Sequence, residues 1–459
     1  MESRSLRKKL MRISPRHLIP LSFLLAILLG TMLLLLPAAT APGNSTDFIT
    51  ALFTATTSVC VTGLTVVTTA AHWSPFGQAV ILLLIQIGGL GVVAIVSLLA
   101  LLLKKRLSLA GRTLIRDAFG LETRSGLLRF LLRVARGTLV TEGIGALLYL
   151  PFFLPAYGIR GLWIALFTAV SAFCNAGIDL FGVESLTPWG NCPPVVLTTS
   201  ALIILGGLGF VVWFDIPLLR KGKREGMPFS SRFSRLSEHT RLVLLLTGFL
   251  LLSGTLIFFF SERRNPGTLA SLPAGQALLQ AFFQSVTLRT AGFSLFPQEN
   301  LTAFSSLAAC LLMFIGGSPI GTAGGIKTVT AFLFLLNADS FIRGRSETLV
   351  LRRRVPGELM GRACAIVTVS AAAVLSLTGL LLLLEPVKAT DALFETLSAC
   401  ATVGLSRSLT PCLGAAGRLT IIFAMFLGRI GPLSMAVFFT RTSPEKGRIR
   451  YAPGRFFVG

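Results

Sequence analysis

Charged residues are scarce in this chain, and that scarcity is the first guide to its class. Only 13% of the 459 residues are charged, whereas 53% are hydrophobic, and soluble domains carry about 25% charged residues. No acidic or basic residue occurs from Phe48 to Leu103. So long an uncharged stretch excludes an ordinary water-soluble surface and predicts an integral membrane protein whose surface mostly contacts the lipid bilayer.

Clusters of histidine and cysteine are also lacking. The chain has three His and seven Cys, and the cysteines show no Cys-x-x-Cys or other metal-ligand spacing. Without clustered His, Cys or carboxylates near one membrane face, there is no candidate catalytic centre for a membrane enzyme. We therefore expect no enzyme activity and no covalently bound cofactor. Cys192 and Cys412 are predicted to lie on the outer side, where free thiols are favoured but a disulfide stays open.

Acidic residues are outnumbered by basic ones, 19 to 42. Of the basic residues, 33 fall in five segments: 1–16, 103–136, 218–241, 337–362 and 441–459. Basic segments that alternate with apolar stretches follow the positive-inside rule, which places all five segments, with both termini, in the cytoplasm. Anionic lipid beside these segments accounts for the charge, so nucleic acid is not expected as a partner.

The apolar stretch from Leu18 to Leu36 could be a signal peptide or a membrane helix, because Ala39-Thr40-Ala41 after it resembles a signal-peptidase site. A signal peptide has an apolar core of about 7–15 residues. This stretch is longer, so we interpret it as a retained first membrane helix.

One order of elements recurs between the basic segments: a helix, a short helix, a return loop and a second helix. Each short helix is about a dozen residues, or about 18 Å, little more than half of a 30 Å hydrocarbon core. The predicted short helices are 47–57, 161–172, 275–287 and 390–400, and the second helices are 75–103, 194–217, 305–336 and 417–440.

The predicted fold is an all-α integral membrane protein with four tandem helix–pore loop–helix repeats, that is, eight transmembrane helices and four half-membrane pore helices, around one pseudo-four-fold pore. The predicted boundaries are a cytoplasmic N-terminus at 1–16, repeats at 17–103, 137–217, 241–336 and 361–440, linkers at 104–136, 218–240 and 337–360, and a cytoplasmic C-terminus at 441–459.

A glycine marks each return loop. Gly63, Gly177, Gly292 and Gly404 follow one another at intervals of 114, 115 and 112 residues, and an apolar residue follows each. A serine also leads into each loop: Ser58, Ser171, Ser285 and Ser398.

Four return loops that share one axis can bind a dehydrated cation. Non-helical backbone cannot face lipid, but it can line a wet cavity, where its carbonyl oxygens replace the hydration shell of an ion. Glycine permits the required backbone geometry, and the C-terminal ends of the short helices favour a cation. The predicted ion-binding residues are Val61, Thr62, Gly63, Asn175, Ala176, Gly177, Thr290, Ala291, Gly292, Thr402, Val403 and Gly404. No carboxylate ring is present, so the loops favour a large monovalent ion over a divalent one.

These loops, together with Ile85-Gln86-Ile87-Gly88-Gly89-Leu90-Gly91, resemble those of the Trk/Ktr/HKT potassium-transporter superfamily. The chain opens directly with the first repeat and so looks more like the Ktr-type membrane subunit. The resemblance implies potassium uptake at the cell membrane, a homodimer with one pore per subunit, and a cytoplasmic nucleotide-binding regulatory ring. In plant relatives, serine at the first filter glycine accompanies sodium preference, so glycine at all four positions favours potassium.

A glycine-rich segment, Gly316 to Lys327, interrupts the predicted second helix of repeat three. Close helix packing through small residues is one explanation. The interpretation that the resemblance supports is a mobile intramembrane loop that gates the pore below the filter. Its predicted gate residues are Gly316, Gly317, Gly321, Gly324, Gly325 and Lys327, together with Arg429.

Arg429 lies about midway along the predicted helix 417–440, where an unpaired charge is costly and normally faces a cavity. Snorkelling or a structural ion pair are the alternatives to a cationic barrier under the filter. A neutralising pair of Arg289 and Glu395 behind the filter is a further, open possibility.

Two alternatives on the same scaffold remain from the sequence alone. A sodium- or proton-coupled symporter also uses broken helices at mid-membrane, and a sodium-conducting pore is compatible with the loops.

Overall fold

The computed structural model describes residues 15–92, 94–95, 127–224, 226–345 and 347–431. The predicted cytoplasmic termini therefore lie almost wholly outside the described residues, as do most of the linker 104–136 and the distal parts of the helices predicted at 75–103 and 417–440. The helices are α1 Pro15–Leu34, α2 Phe48–Cys60, α3 Thr69–His72, α4 Pro75–Leu90, α5 Leu127–Tyr157, α6 Arg160–Cys174, α7 Pro193–Gly207, α8 Phe210–Arg224, α9 Phe229–Ser234, α10 Glu238–Glu262, α11 Ala274–Thr287, α12 Ala303–Phe314, α13 Thr328–Ile342, α14 Gly357–Leu384, α15 Ala389–Cys400 and α16 Ala415–Ile430.

Apolar side chains cover much of the outer surface of the bundle. Leu147 on α5, Phe249 on α10 and Leu375 on α14 are each about two-thirds exposed. Three described helices are long and apolar enough to cross a bilayer: Arg129–Tyr157, Glu238–Glu262 and Gly357–Leu384. Shorter apolar helices, α1 and α4 among them, accompany these three. Exposed leucine and phenylalanine on such helices suit a lipid environment rather than water.

The short helices occupy the centre of the bundle. Each carries a fully buried phenylalanine: Phe53, Phe167, Phe283 and Phe394. The helix α1 packs against α2 through side chains that are buried in the same core, such as Ile27 and Leu34. The stretch that resembles a signal peptide is thus an integral part of the folded bundle.

Glycine interrupts the second helices in the described part of the chain. α4 ends at Leu90, α7 is followed by α8 at a bend of 104°, and α16 ends at Ile430. The interrupting residues Gly91, Gly209 and Gly431 have φ of +87°, +89° and +90°, a conformation that only glycine adopts readily. The continuous helix predicted at 194–217 is therefore wrong. The helix predicted at 305–336 is likewise divided, into α12 and α13.

The segment predicted as the linker 337–360 is not entirely irregular. α13 continues to Ile342, and a two-stranded antiparallel hairpin follows, with β1 Leu349–Val350 paired to β2 Arg353–Arg354. An ion pair of 2.8 Å between Arg353 Nε and Glu238 Oε1 ties this hairpin to the start of α10. The chain is thus helical apart from this one hairpin among the described residues.

Candidate functional site

The four return loops share one backbone conformation. The residue two places before each loop glycine has a left-handed φ: 55° at Val61, 59° at Asn175, 68° at Thr290 and 51° at Thr402. Three of these side chains are β-branched, for which this region is strained and rare. Strain repeated at corresponding positions is retained where function requires that geometry.

The four loop glycines form a closed ring, here called the glycine ring (Gly63, Gly177, Gly292 and Gly404). A Cβ added at Gly63 would lie 2.7 Å from Ala176 O, one at Gly177 would lie 2.6 Å from Ala291 O, and one at Gly292 would lie 2.7 Å from Val403 O. A Cβ at Gly404 would in turn strike Thr62 O. Each loop therefore packs on the carbonyl of the next, around a common point, with no room for a side chain.

Hydroxyl groups at the ends of the short helices hold the loops in place. Thr57 Oγ1 accepts from Gly63 N at 3.0 Å, Ser171 Oγ accepts from Ile178 N at 3.1 Å, and Ser398 Oγ accepts from Gly404 N at 3.1 Å. In the third loop, Thr287 Oγ1 donates to Phe293 O at 2.6 Å.

Only two of the four serines noted in the sequence perform this task. Ser58 donates to Thr54 O within its own helix, and Ser285 donates to Leu251 O on α10. Thr57 and Thr287 are therefore loop-anchoring residues that the sequence reasoning missed. The signal was present, because a hydroxyl stands six residues before the glycine in loops one, two and four and five residues before it in loop three.

A wide outer cavity of about 630 Å³ opens onto the glycine ring and includes all four ring glycines in its lining. Asp179, Glu184 and Glu299 also line it. Burial raises the pKa of the Asp179 carboxyl to about 6, against hydrogen bonds from Ser185 Oγ and Phe181 N that lower it. The outer approach to the ring is thus acidic, and acidic walls concentrate cations.

A second glycine layer lies on the other side of the ring. Gly88, Gly206 and Gly428 stand where an added Cβ would strike Val59 O, Phe173 O and Cys400 O respectively. Each of these carbonyls belongs to the residue four places before a ring glycine. The second helices therefore press directly on the ends of the short helices and fix where those ends lie.

The glycine-rich loop, residues 315–327, is joined to the bend between α7 and α8 by backbone hydrogen bonds. Ser318 N donates to Gly207 O at 2.9 Å, and Phe210 N donates back to Ile320 O at 2.8 Å. A Cβ at Gly324 would strike Thr402 Oγ1, next to the ring. The loop thus occupies the bend between α7 and α8 and reaches the fourth return loop.

A family model described as TrkH, cation transport protein, matches residues 21–450. The chain belongs to the TrkH family. Its members are membrane cation transporters, and nothing in the match points to catalysis. The resemblance to the Trk/Ktr/HKT superfamily and its Ktr-type membrane subunits is confirmed.

Several relatives match this TrkH-family chain over nearly its whole length. The Ktr system potassium uptake protein B of Bacillus subtilis is 37% identical and covers 98% of each chain, and that of Vibrio alginolyticus is 38% identical over 96% of this chain and 94% of the relative. The potassium/sodium uptake protein NtpJ of Enterococcus hirae is 37% identical and covers 92% of each chain.

A solved structure supports the fold. The potassium transporter TrkH from Vibrio parahaemolyticus superimposes with a TM-score of 0.70, covering 91% of this chain and 84% of that one, at 16% identity.

Arg429 is held by carbonyls in this TrkH-family protein. Its Nη1 donates to Thr322 O at 2.7 Å in the glycine-rich loop, and its Nη2 donates to Gly88 O on α4. No carboxylate in the described part of the chain forms an ion pair with it. Within the loop, Lys327 Nζ donates to Ala323 O at 2.6 Å.

The suggested pair of Arg289 and Glu395 does not form. Glu395 accepts from Ser406 Oγ at 2.7 Å and from Thr410 Oγ1. Arg289 is 7% exposed and borders a small cavity that Glu395 does not line. Glu142 accepts from Gln86 Nε2 at 3.3 Å, so the buried carboxylates of the described residues are engaged elsewhere.

The glycine motif of α4 recurs, with changes, in the second helix of each of the other three repeats. The motif Gly88-Gly89-Leu90-Gly91 returns as Gly206-Gly207-Leu208-Gly209, as Gly316-Gly317-Ser318-Pro319 and as Gly428-Arg429-Ile430-Gly431. Aligning the four would have placed a helix break in every second helix, at Gly91, Gly209, Pro319 and Gly431, and Arg429 at a site where the other three copies have glycine.

Proposed function

We propose that this TrkH-family protein takes up potassium across the cytoplasmic membrane through a single pore, in which the glycine ring and the carbonyls around it form the selectivity filter. The ring of four glycines, each packed against a carbonyl of the next loop, is the observation that carries the proposal. Main-chain oxygens arranged around one axis can replace the hydration shell of a monovalent cation.

The wider architecture follows from the same proposal. Four helix–pore loop–helix repeats surround the pore, and residues 61–63, 175–177, 290–292 and 402–404 contribute the filter. The relatives named as potassium uptake proteins support potassium as the ion. The positive-inside pattern favours cytoplasmic termini and the cell membrane.

The glycine-rich loop and Arg429 form the proposed gate. The loop lies directly below Thr402, and Arg429 bridges it to α4, so movement of the loop would require that bridge to break. The fixed positive charge of Arg429 also limits how many cations can occupy the space below the filter. A homodimer and a cytoplasmic nucleotide-binding regulatory ring are proposed by resemblance to Ktr-type systems.

Complementation of a bacterium that lacks its potassium-uptake systems tests the function. The wild-type chain is expected to restore growth at low potassium. Gly292→Ser is expected to lose selectivity, because its Cβ would lie 2.7 Å from Val403 O and its φ is +84°. Gly275→Ser on the preceding helix is the matched control, because nothing lies within 4 Å of an added Cβ there. Equal selectivity in Gly292→Ser would exclude the filter role of that glycine.

Proteoliposome flux separates the alternatives on this scaffold. A channel carries rubidium, a potassium analogue, with or without a sodium or proton gradient, whereas a symporter requires the gradient of its coupling ion. Competition by sodium at equal concentration measures the preference between potassium and sodium. The measurement matters because the Enterococcus hirae relative is named a potassium/sodium uptake protein.

A further inference from the structure

Arg289 stands immediately before the third return loop and has no counter-charge among the residues that the structure describes. Its side chain is buried, with 7% of the residue exposed, and its Nε has no hydrogen-bond partner. Among the described residues no carboxylate forms an ion pair with it, since Glu395 and Glu142 bind other groups. A buried guanidinium that is neither paired nor fully hydrogen-bonded is strongly disfavoured.

The side chain borders a small cavity of about 10 Å³ between three elements. Thr247 on α10 also borders this cavity, and its Oγ1 is a second buried polar atom without a partner. Gly207 at the end of α7 and Gly317 in the glycine-rich loop also line it, where the site meets the proposed gate. Four aliphatic residues form the rest of the wall: Ile203, Ile204, Leu251 and Val286. Two unpartnered polar groups around one cavity indicate a missing polar occupant.

We propose that this cavity binds a small monovalent anion, chloride under physiological conditions. The Arg289 guanidinium supplies the positive charge and an N–H donor, and the Thr247 hydroxyl supplies a second donor. The volume admits about one water-sized particle, which excludes phosphate, sulfate and carboxylates. A water molecule would fill the space, but it would leave the buried positive charge uncompensated.

Because the site lies next to the third return loop, an anion bound there would affect cation binding in the filter. This step rests on the proposed function. An uncompensated positive charge next to the third filter loop lowers the occupancy of a cation there, because electrostatic interactions are little screened in a buried site. An anion at Arg289 removes that penalty. Potassium uptake is therefore expected to depend on chloride without chloride being transported.

Anomalous diffraction with bromide tests the site itself, independently of transport. Crystals of the full chain grown in bromide are expected to give an anomalous peak within contact distance of Arg289 Nε and Thr247 Oγ1. Thr247→Val keeps the shape of the side chain and should weaken the peak. Thr255→Val on the same helix is the control, because its hydroxyl already donates to Leu251 O at 2.6 Å. Density without an anomalous signal, meaning water alone, would overturn the proposal.

A flux measurement tests the consequence. Replacing chloride by gluconate at constant potassium is expected to lower rubidium uptake about three- to tenfold in the wild type. Arg289→Gln should remove this anion dependence, and Thr255→Val should retain it. Equal uptake in both anions would overturn the electrostatic role, whereas failure of the proposed function would appear as absent uptake in both anions with the bromide peak intact.

Discussion

Replacing Arg429 by alanine tests most directly how the glycine-rich loop is held. The guanidinium donates to Thr322 O at 2.7 Å and to Gly88 O. Each hydrogen bond from a charged donor contributes about 1.5–3 kcal/mol, so losing both shifts the balance between held and released loop by about 3–6 kcal/mol. This corresponds to roughly a 10²- to 10⁴-fold change in the equilibrium constant.

The flux of Arg429→Ala is expected to exceed that of the wild type by at least about tenfold, less than the shift in equilibrium because the open fraction cannot exceed one. The protein is expected to stay folded, because the change leaves no unpaired buried charge and the freed carbonyls can be hydrated in the cavity. Rubidium uptake into proteoliposomes measures the change, with the amount of inserted protein determined in the same vesicles.

Two further variants separate the hydrogen bonds from the charge. Arg429→Lys keeps the charge but cannot reproduce the two-point contact, whereas Arg429→Gln keeps polarity without charge. If the charge alone limits flux, only the glutamine variant rises; if the contact limits it, both rise. Unchanged or lower flux in correctly inserted Arg429→Ala protein would refute the reasoning altogether.

Three more predictions concern the filter and its outer approach. Gly177→Ala is expected to lose discrimination between potassium and sodium in competition flux, because its Cβ would lie 2.6 Å from Ala291 O. Thr57→Val removes the acceptor for Gly63 N, so it should lower stability by about 1–3 kcal/mol in thermal unfolding and weaken the ion preference. Burial raises the pKa of Asp179 to about 6; the carboxylate is charged above that value and neutral below it, so uptake should fall as external pH is lowered from about 7.5 to about 5, and Asp179→Asn should be insensitive.

Each of these has a matched control in the same region. Gly143→Ala adds a methyl group where nothing lies within 4 Å and should keep selectivity. Thr56→Val removes a hydroxyl that only bonds to Leu52 O within its own helix, so ion preference should persist. Glu184→Gln changes another carboxyl of the outer cavity and should leave the titration near pH 6 in place. A control that behaves like its test variant would contradict the corresponding contact.

The four ring positions could be predicted from the sequence because the same backbone requirement for glycine occurs in all four loops. Glycine is needed where φ is positive and a carbonyl of the next loop would lie within 3 Å of a Cβ. The four repeats therefore all have glycine at this position, although the residues beside it differ between repeats. The helix register of the third repeat was less accessible. Phe283 and Thr287 stand one residue closer to their ring glycine than Phe53 and Thr57 do, and an alignment without gaps hides that shift.

The breaks in the second helices were missed for a different physical reason. An apolar run with scattered glycine is compatible with a membrane helix, because neighbouring helices can satisfy the freed backbone groups. Hydropathy therefore does not distinguish the continuous helix predicted at 194–217 from α7 and α8. The hydrogen bond from Phe210 N to Ile320 O, which stabilises the bend, joins segments more than a hundred residues apart, and no local pattern contains it.

The four copies of the glycine motif differ at the position one layer below the glycine ring, where the fourth copy has Arg429. At the corresponding positions stand Gly89, Gly207 and Gly317, and a Cβ at Gly89 would lie 2.6 Å from Cys174 Sγ. Four arginines could not fit there, and four positive charges would exclude any cation from the pore. One arginine, held by carbonyls from two other copies, places a single charge there, and in the proposed gate this charge limits conduction until it is displaced. On this proposal ion binding gains from four equivalent loops, whereas control needs one residue that differs.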